Sequence, residues 1–403
     1  MPAKRRKIFV RAAWTALFVL PAVAIFLVEL SAHRERVRKG SVVTQYRGDL
    51  SRSGYYGTEG VLASPGVLWR FNTGSTVYSS PVVVDRTLYF GEVIGGPSIG
   101  ALTVILGGTA NLYALDSQTG QMKWKFGVAD SSFYTAPAVT PDLVLLGGGS
   151  SLYAVDRGNG ALRWLFDSGS AIFSSPAVAE SKVFFGNQAG FLFALDLETG
   201  REKWKFKTGG YVRSPAAIRE GLVYFGSSDQ HLYAIYTRSG KKAWRFYTEG
   251  AIEGGPAIGG GAVYFGSHDH RFYAADLKTG APLWKFEAEG AIVASPAHLG
   301  DSVFVEACAK GEAILHSLDA STGVERWRFK IRDEHVPSPS FSSSPSLAGG
   351  MVYFGGDDGH LYALDAKTGR ENWKFKLGSP ILSSPVIADG VLFFGGRGLY
   401  ALR

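Results

Sequence analysis

The sequence predicts an all-β protein, an eight-bladed β-propeller closed by strands from both ends of the chain. Three observations predict it. Apart from Trp14, the tryptophans fall at 69, 124, 164, 204, 244, 284, 327 and 373, mostly 40 residues apart. Most sit in a frame of four short extended segments divided by turn residues, and a four-stranded repeat of ~40–45 residues has the size of a propeller blade. Glycine (52 of 403 residues) and aromatic residues (13%) are both abundant, which fits many short strands joined by tight turns.

The elements follow in chain order. Residues 1–11 are a basic tail. Residues 12–30, Ala12 to Leu30, are apolar except for Thr15, Pro21 and Glu29. As a helix at ~1.5 Å per residue this run spans roughly 28 Å, close to a bilayer's hydrocarbon thickness. It is longer than the core of a signal peptide, and Leu30 suits a cleavage site poorly. No cysteine lies just beyond it to carry a lipid. The run reads as an uncleaved single-pass membrane anchor, with a cleaved signal sequence or a buried helix as the other readings. Anchor and signal alike deliver the body outside the cytoplasm. The expected location is therefore the bacterial inner membrane, with the propeller in the periplasm or outside the cell. Residues 31–66 form a linker and lead-in, and residues 67–403 the propeller.

Charge and cysteine content exclude several classes. Nine basic and two acidic residues within 1–39 account for the whole net charge of +7. The body, 40–403, is neutral and has no overall attraction for a phosphate backbone, so no nucleic-acid partner is expected. The single cysteine, Cys308, excludes an internal disulfide, a four-cysteine zinc site and a CxxCH haem attachment.

The repeat is cleanest at 174–206, SSPAVAESKVFFGNQAGFLFALDLETGREKWKF. It reads as strands Ser174–Val178, Val183–Gly186, Phe191–Asp196 and Lys203–Phe206. In the turn Asp196–Gly200 the aspartate bonds amides ahead of it while glycine takes a positive φ. The turn recurs at Asp116, Asp156, Asp276, Asp319 and Asp365, and blade 4 replaces the aspartate with Tyr236. A proline opens every first strand (Pro81, Pro137, Pro176, Pro215, Pro256, Pro296, Pro345, Pro385), where its missing N–H is tolerated. Eight prolines accompany only seven complete frames. The eighth ends after its third strand, Leu399–Leu402, and the missing fourth strand is Val67–Phe71.

The frame LYALDxxTGxxxWxF, followed by SSPxV and VYFG, resembles the PQQ-like repeat of quinoprotein-type propellers across 67–403. The lead-in Thr44-Gln45-Tyr46-Arg47-Gly48-Asp49 with Arg52-Ser53-Gly54 is similar to that of bacterial membrane proteins of this type. The resemblance implies the quinoprotein alcohol dehydrogenase-like fold. It also implies that Trp69, Trp124, Trp164, Trp204, Trp244, Trp284, Trp327 and Trp373 dock between neighbouring blades. The family has two branches. Quinoprotein dehydrogenases bind pyrroloquinoline quinone (PQQ) and calcium in the central funnel. Scaffold members, such as the outer-membrane assembly lipoprotein BamB, hold partner proteins and carry no cofactor.

Candidate site residues come from aligning the links ahead of the prolines, which ring the funnel mouth. The first position gives Tyr78, Tyr134, Phe173, Val212, Glu253, Val293, Ser342 and Leu382; the next gives Ser79, Thr135, Ser174, Arg213, Gly254, Ala294, Ser343 and Ser383. Arg213 and Glu253 are the only charges among them. They read as an inter-blade ion pair, as an anion site with a base or calcium ligand, or as a partner contact. Tyr78, Tyr134 and Phe173 either plug the funnel or stack on a flat ligand. His268-Asp269-His270 reads as a solvated turn in preference to a metal site, and no metal centre is expected. Blade 1 carries an apolar insertion that includes Val93, Ile94, Ile99, Leu102, Val104, Ile105 and Leu106. So little charge in an extended loop requires a cover: its own propeller, a partner protein or the membrane. Without an acidic cluster for a calcium cage or an adjacent cysteine pair, a non-catalytic scaffold binding proteins or cell-envelope components is expected. A PQQ- and calcium-dependent dehydrogenase acting on an alcohol or sugar is the alternative.

Overall fold

The computed structural model describes residues 45–94, 109–129, 133–309, 311–332 and 343–403. The apolar run 12–30 lies outside them, and no helix of the described residues is long and apolar enough to cross a membrane.

The described chain is all-β, an eight-bladed propeller. Seven antiparallel sheets have four strands each in sequence order, and an eighth joins the two chain ends. Blade 3 shows the pattern with Ala177–Ala179, Lys182–Gly186, Phe191–Asp196 and Glu202–Lys207. Its first strand is shorter than Ser174–Val178. Residues ahead of the proline belong instead to a belt of links held by serine hydroxyls. Ser80, Ser295, Ser344 and Ser384 each accept a backbone N–H from the preceding link, as in Ser344 N to Ser384 Oγ at 3.0 Å. The belt, not a ladder, satisfies these backbones.

Closure follows the expected pairing. Val67–Thr76 pairs with Val391–Leu402, with Trp69 opposite Ala401 and Phe71 opposite Leu399. The run Val391–Leu402 is continuous strand, yet Phe394 stacks on Tyr400 at 5.4 Å, just as Phe354 stacks on Tyr362. Six residues of straight strand would part those rings by about 20 Å. The chain therefore reverses around Gly396–Gly398, and blade 8 has its four arms through a tight hairpin.

The core is eight wedges, each shared by two blades. Phe184 and Leu192 of blade 3 meet Val223 and Phe225 of blade 4, and Leu88 and Phe90 of blade 1 meet Val391 and Phe393 of blade 8. Every repeat tryptophan reaches across such a wedge. Indole Nε1 atoms of Trp69, Trp124, Trp164, Trp204, Trp244, Trp284 and Trp327 donate to carbonyls of Ser117, Arg157, Leu197, Thr237, Leu277, Ala320 and Ala366 in the next blade. Trp373 has no such turn ahead of it, because blade 8 contains the chain break, and donates to Val61 O at 2.8 Å. The turn glycine is required twice over at Gly200: φ is +67°, and a Cβ would lie 2.6 Å from the Trp164 ring. Trp164→Phe is expected to cost about 1–2 kcal/mol by leaving Leu197 O without its donor, read as a lower urea midpoint of unfolding.

The lead-in fills the axis on the inner edges of the first strands. Leu50, Ser51, Ser53 and Gly54 accept backbone N–H groups from Ile218, Ile258, His298 and Leu347 of blades 4 to 7 in turn. Gln45 Oε1 accepts from Val178 of blade 3 at 3.0 Å. The irregular lead-in thus caps five inner edges that would otherwise present open donors.

Candidate functional site at the funnel mouth

Links and second-to-third-strand tips share one face of the ring, since His268 of a blade 5 tip stands 3.7 Å from Glu253 of the link into that blade. Here the structure corrects the alignment of blade 4. Ser174 Oγ donates to Ser214 O and Ser214 Oγ to Gly254 O, both at 2.9 Å. Pro215 therefore corresponds to Ser175, one place before Pro176. Arg213 stands level with Phe173 and Glu253, while Val212 is wholly buried against Gly186.

With that register the first mouth position becomes a continuous arc across five links. Tyr78 packs on Tyr134 and Tyr134 on Phe173, each pair with ring centroids 5.6 Å apart. The Arg213 guanidinium lies 5.3 Å from the Phe173 ring centre and 4.6 Å from that of Tyr211. Its Nη1 is 3.5 Å from Glu253 Oε1. All of these side chains are partly exposed. Val293 and Leu382 continue the mouth as an apolar half, and Ser342 lies outside the described residues.

Electrostatics favour a fixed ion pair presented to solvent. Burial lifts the Glu253 carboxyl, but His268 and Arg213 beside it more than offset this and hold it below the ordinary carboxylate range. Burial and Glu253 push the Tyr211 phenol up. Arg213 Nε is buried without an acceptor. The arc therefore offers aromatic faces, a guanidinium with donor capacity to spare and a neutralised carboxylate, a combination suited to an acidic group beside an apolar one.

Tyr211 and His268 were not placed at the mouth by sequence alignment. The signal for Tyr211 was present: equivalent positions hold Ala171, Ala251 and Ala291. In the tip His268-Asp269-His270, Asp269 Oδ2 accepts from Tyr273 Oη at 2.7 Å and from Glu249 N at 3.0 Å, so it shapes the turn. Among the described residues no cluster of three or more His, Cys, Asp or Glu side chains is placed to hold a metal. Of the blade 1 insertion, Val93 and Ile94 end the strand Thr87–Ile94, opposite Ala110 and Thr109. Ile99, Leu102, Val104, Ile105 and Leu106 lie outside the described residues. Strands in blades 1 and 6 run to eight residues against five or six in blade 3, so two taller blades stand on the mouth side.

The arc Tyr78–Tyr134–Phe173–Arg213–Glu253 does not by itself make a calcium cage. Calcium takes six to eight oxygen ligands, whereas the arc supplies one carboxylate, already flanked by Arg213 and His268.

Eight four-armed blades bound by tryptophans, six of them with an Asp-x-x-x-Gly turn, define a PQQ-like repeat propeller. A family model described as outer membrane protein assembly factor BamB matches residues 62–167, 148–253, 236–338 and 311–402, and the chain belongs to that family. BamB from Moraxella catarrhalis is similar in structure at TM-score 0.67 and 16% identity, over 84% of this chain and 97% of that one. Quinohemoprotein alcohol dehydrogenase from Comamonas testosteroni gives 0.69 and 15%, over 89% and 80%. The computationally designed Ika8 protein gives 0.66 and 17%, over 83% and 98%. At these identities the likeness is one of fold. None of the curated proteins matches the sequence.

Proposed function

We propose that this chain is a non-catalytic scaffold of the cell envelope, held at the bacterial inner membrane through residues 12–30, with its propeller in the periplasm or outside the cell and a protein partner docked on the funnel mouth. The observation that carries the reading is the partly exposed arc Tyr78–Tyr134–Phe173–Arg213–Glu253. Aromatic residues and arginine are the side chains that dominate protein–protein contacts, and here they are pre-ordered by one another. The family model named for an assembly factor supports the same reading.

A photo-crosslinking residue at Phe173 of the full-length chain is expected to trap one envelope protein in intact cells. Arg213→Glu is expected to reduce that adduct at least tenfold, and a crosslinker at Thr199, on the opposite face, should not trap it. Equal trapping at both positions, or an adduct indifferent to Arg213→Glu, removes the mouth as the docking face. Stoichiometric retention of quinone by the full-length chain after desalting from PQQ and calcium would overturn the non-catalytic reading in favour of the dehydrogenase.

A further inference from the structure

The axis of the ring holds two buried guanidinium groups and too little negative charge. Arg52 is wholly buried and gives its donors to carbonyls of Tyr46 at 2.6 Å and Ala216 at 2.8 Å, with longer contacts to Ser175 and Pro176. Arg47 is also buried and lies against Gly54. It gives Nη2 to Pro296 O at 2.6 Å, while its Nε and Nη1 have no acceptor. Gln45 Nε2, in the same lead-in, is buried and equally without one. Asp49 is the only acidic side chain of 45–58, and it is turned to Ser53, accepting from its N at 3.1 Å and its Oγ at 2.6 Å.

Hydrogen bonds donated to water satisfy idle N–H groups but do not neutralise a charge taken out of bulk solvent. Among the described residues, the other polar partners around the pair are neutral carbonyls, phenols and serines. Tyr46 Oη, for instance, sits 3.0 Å from Ser344 Oγ. An excess positive charge with unused donors, enclosed by the ring, defines a place for a counter-ion. We propose that the buried axis of the ring binds a small inorganic anion of the halide type against Nε and Nη1 of Arg47, with Arg52 adding its field. Gly54 crowds the Nη2 edge of the guanidinium, which leaves the Nε and Nη1 edge to a small ion. Such an ion locks the lead-in to the ring, because Arg47 belongs to one and Pro296 to the other.

Crystals of the full-length chain in which bromide replaces chloride test this directly. The expected result is an anomalous peak in contact with the Arg47 guanidinium. In parallel, the melting midpoint is expected to be several degrees higher in sodium chloride or bromide than in sodium isethionate at equal ionic strength, and Arg47→Met should abolish the difference. If Arg47→Met does not fold, the bromide map of the unaltered chain decides. Peaks confined to surface arginines (an adventitious ion only), or no peak at Arg47, overturn the proposal. So does a tyrosinate absorption band at neutral pH, which would show that Tyr46 itself supplies the balancing charge. A phosphate ion at Arg47 in place of bromide would overturn the halide assignment.

Discussion

Arg52→Met is expected to destabilise the propeller by about 3–5 kcal/mol, the scale seen when a buried, multiply bonded charge is removed. Arg52 joins three parts of the molecule, the lead-in through Tyr46 O, blade 3 through Ser175 and Pro176, and blade 4 through Ala216. Methionine fills much of the space and donates nothing, so the short-range acceptors Tyr46 O and Ala216 O lose their partner at roughly 1–3 kcal/mol each. The longer contacts add less. Arg52→Lys should recover only part of the loss, since one ammonium on a flexible stem does not reproduce a planar fork of five donors. Urea denaturation of the three proteins measures this. A Met variant within about 1 kcal/mol of the parent would mean that the lead-in is an ornament on a ring stable without it.

That prediction rests on a contact the sequence conceals, and the reason is physical. What could be read was periodic. Tryptophan spacing, the Asp-to-Gly turn and the missing fourth strand gave eight blades and their closure, because each repeat must bury the same faces against its neighbours. The lead-in has no period. Its arginines bond to carbonyls more than 100 residues away, and carbonyls leave no mark in a sequence. The blade 4 register failed for a different reason. Proline is an imprecise ruler here, because the position before a first strand tolerates it at two adjacent places, and only the serine-to-carbonyl bonds fix which one is occupied. The mouth was half legible. Its two charges and three aromatic residues were named from alignment, but their union into one arc needed the one-residue correction.

Glu306 stands out in the sequence by breaking a repeat. Where the other seven blades place Gly91, Gly147, Gly186, Gly226, Gly266, Gly355 and Gly395 as the fifth residue of the second strand, blade 6 reads Ser-Val-Phe-Val-Glu. Elsewhere the glycine is enforced by crowding, a Cβ at Gly186 lying 2.3 Å from Val212. Blade 6 has instead a carboxyl that is 5% exposed, with Cys308 Sγ at 3.6 Å from one oxygen and no partner for the other. Burial, reinforced by the charge of Asp357, pushes its pKa up to about 8. The sign of the linkage follows. The folded state holds this proton more tightly than the unfolded chain, so the stabilising contribution is complete below about pH 4.5 and is lost as pH rises through about 8. Above that, folding must bury an ionised group. Glu306→Gln keeps the shape and removes the ionisation. It is expected to leave stability nearly unchanged at pH 5 and to raise it by about 2–4 kcal/mol at pH 9, on the basis of ~1.4 kcal/mol for each tenfold difference in proton affinity between the folded and unfolded chain. Denaturation curves for parent and variant across that range should diverge with rising pH. Parallel curves would mean that Glu306 is ionised and solvated in the native ring, in which case blade 6 opens to water where the other blades are sealed by glycine.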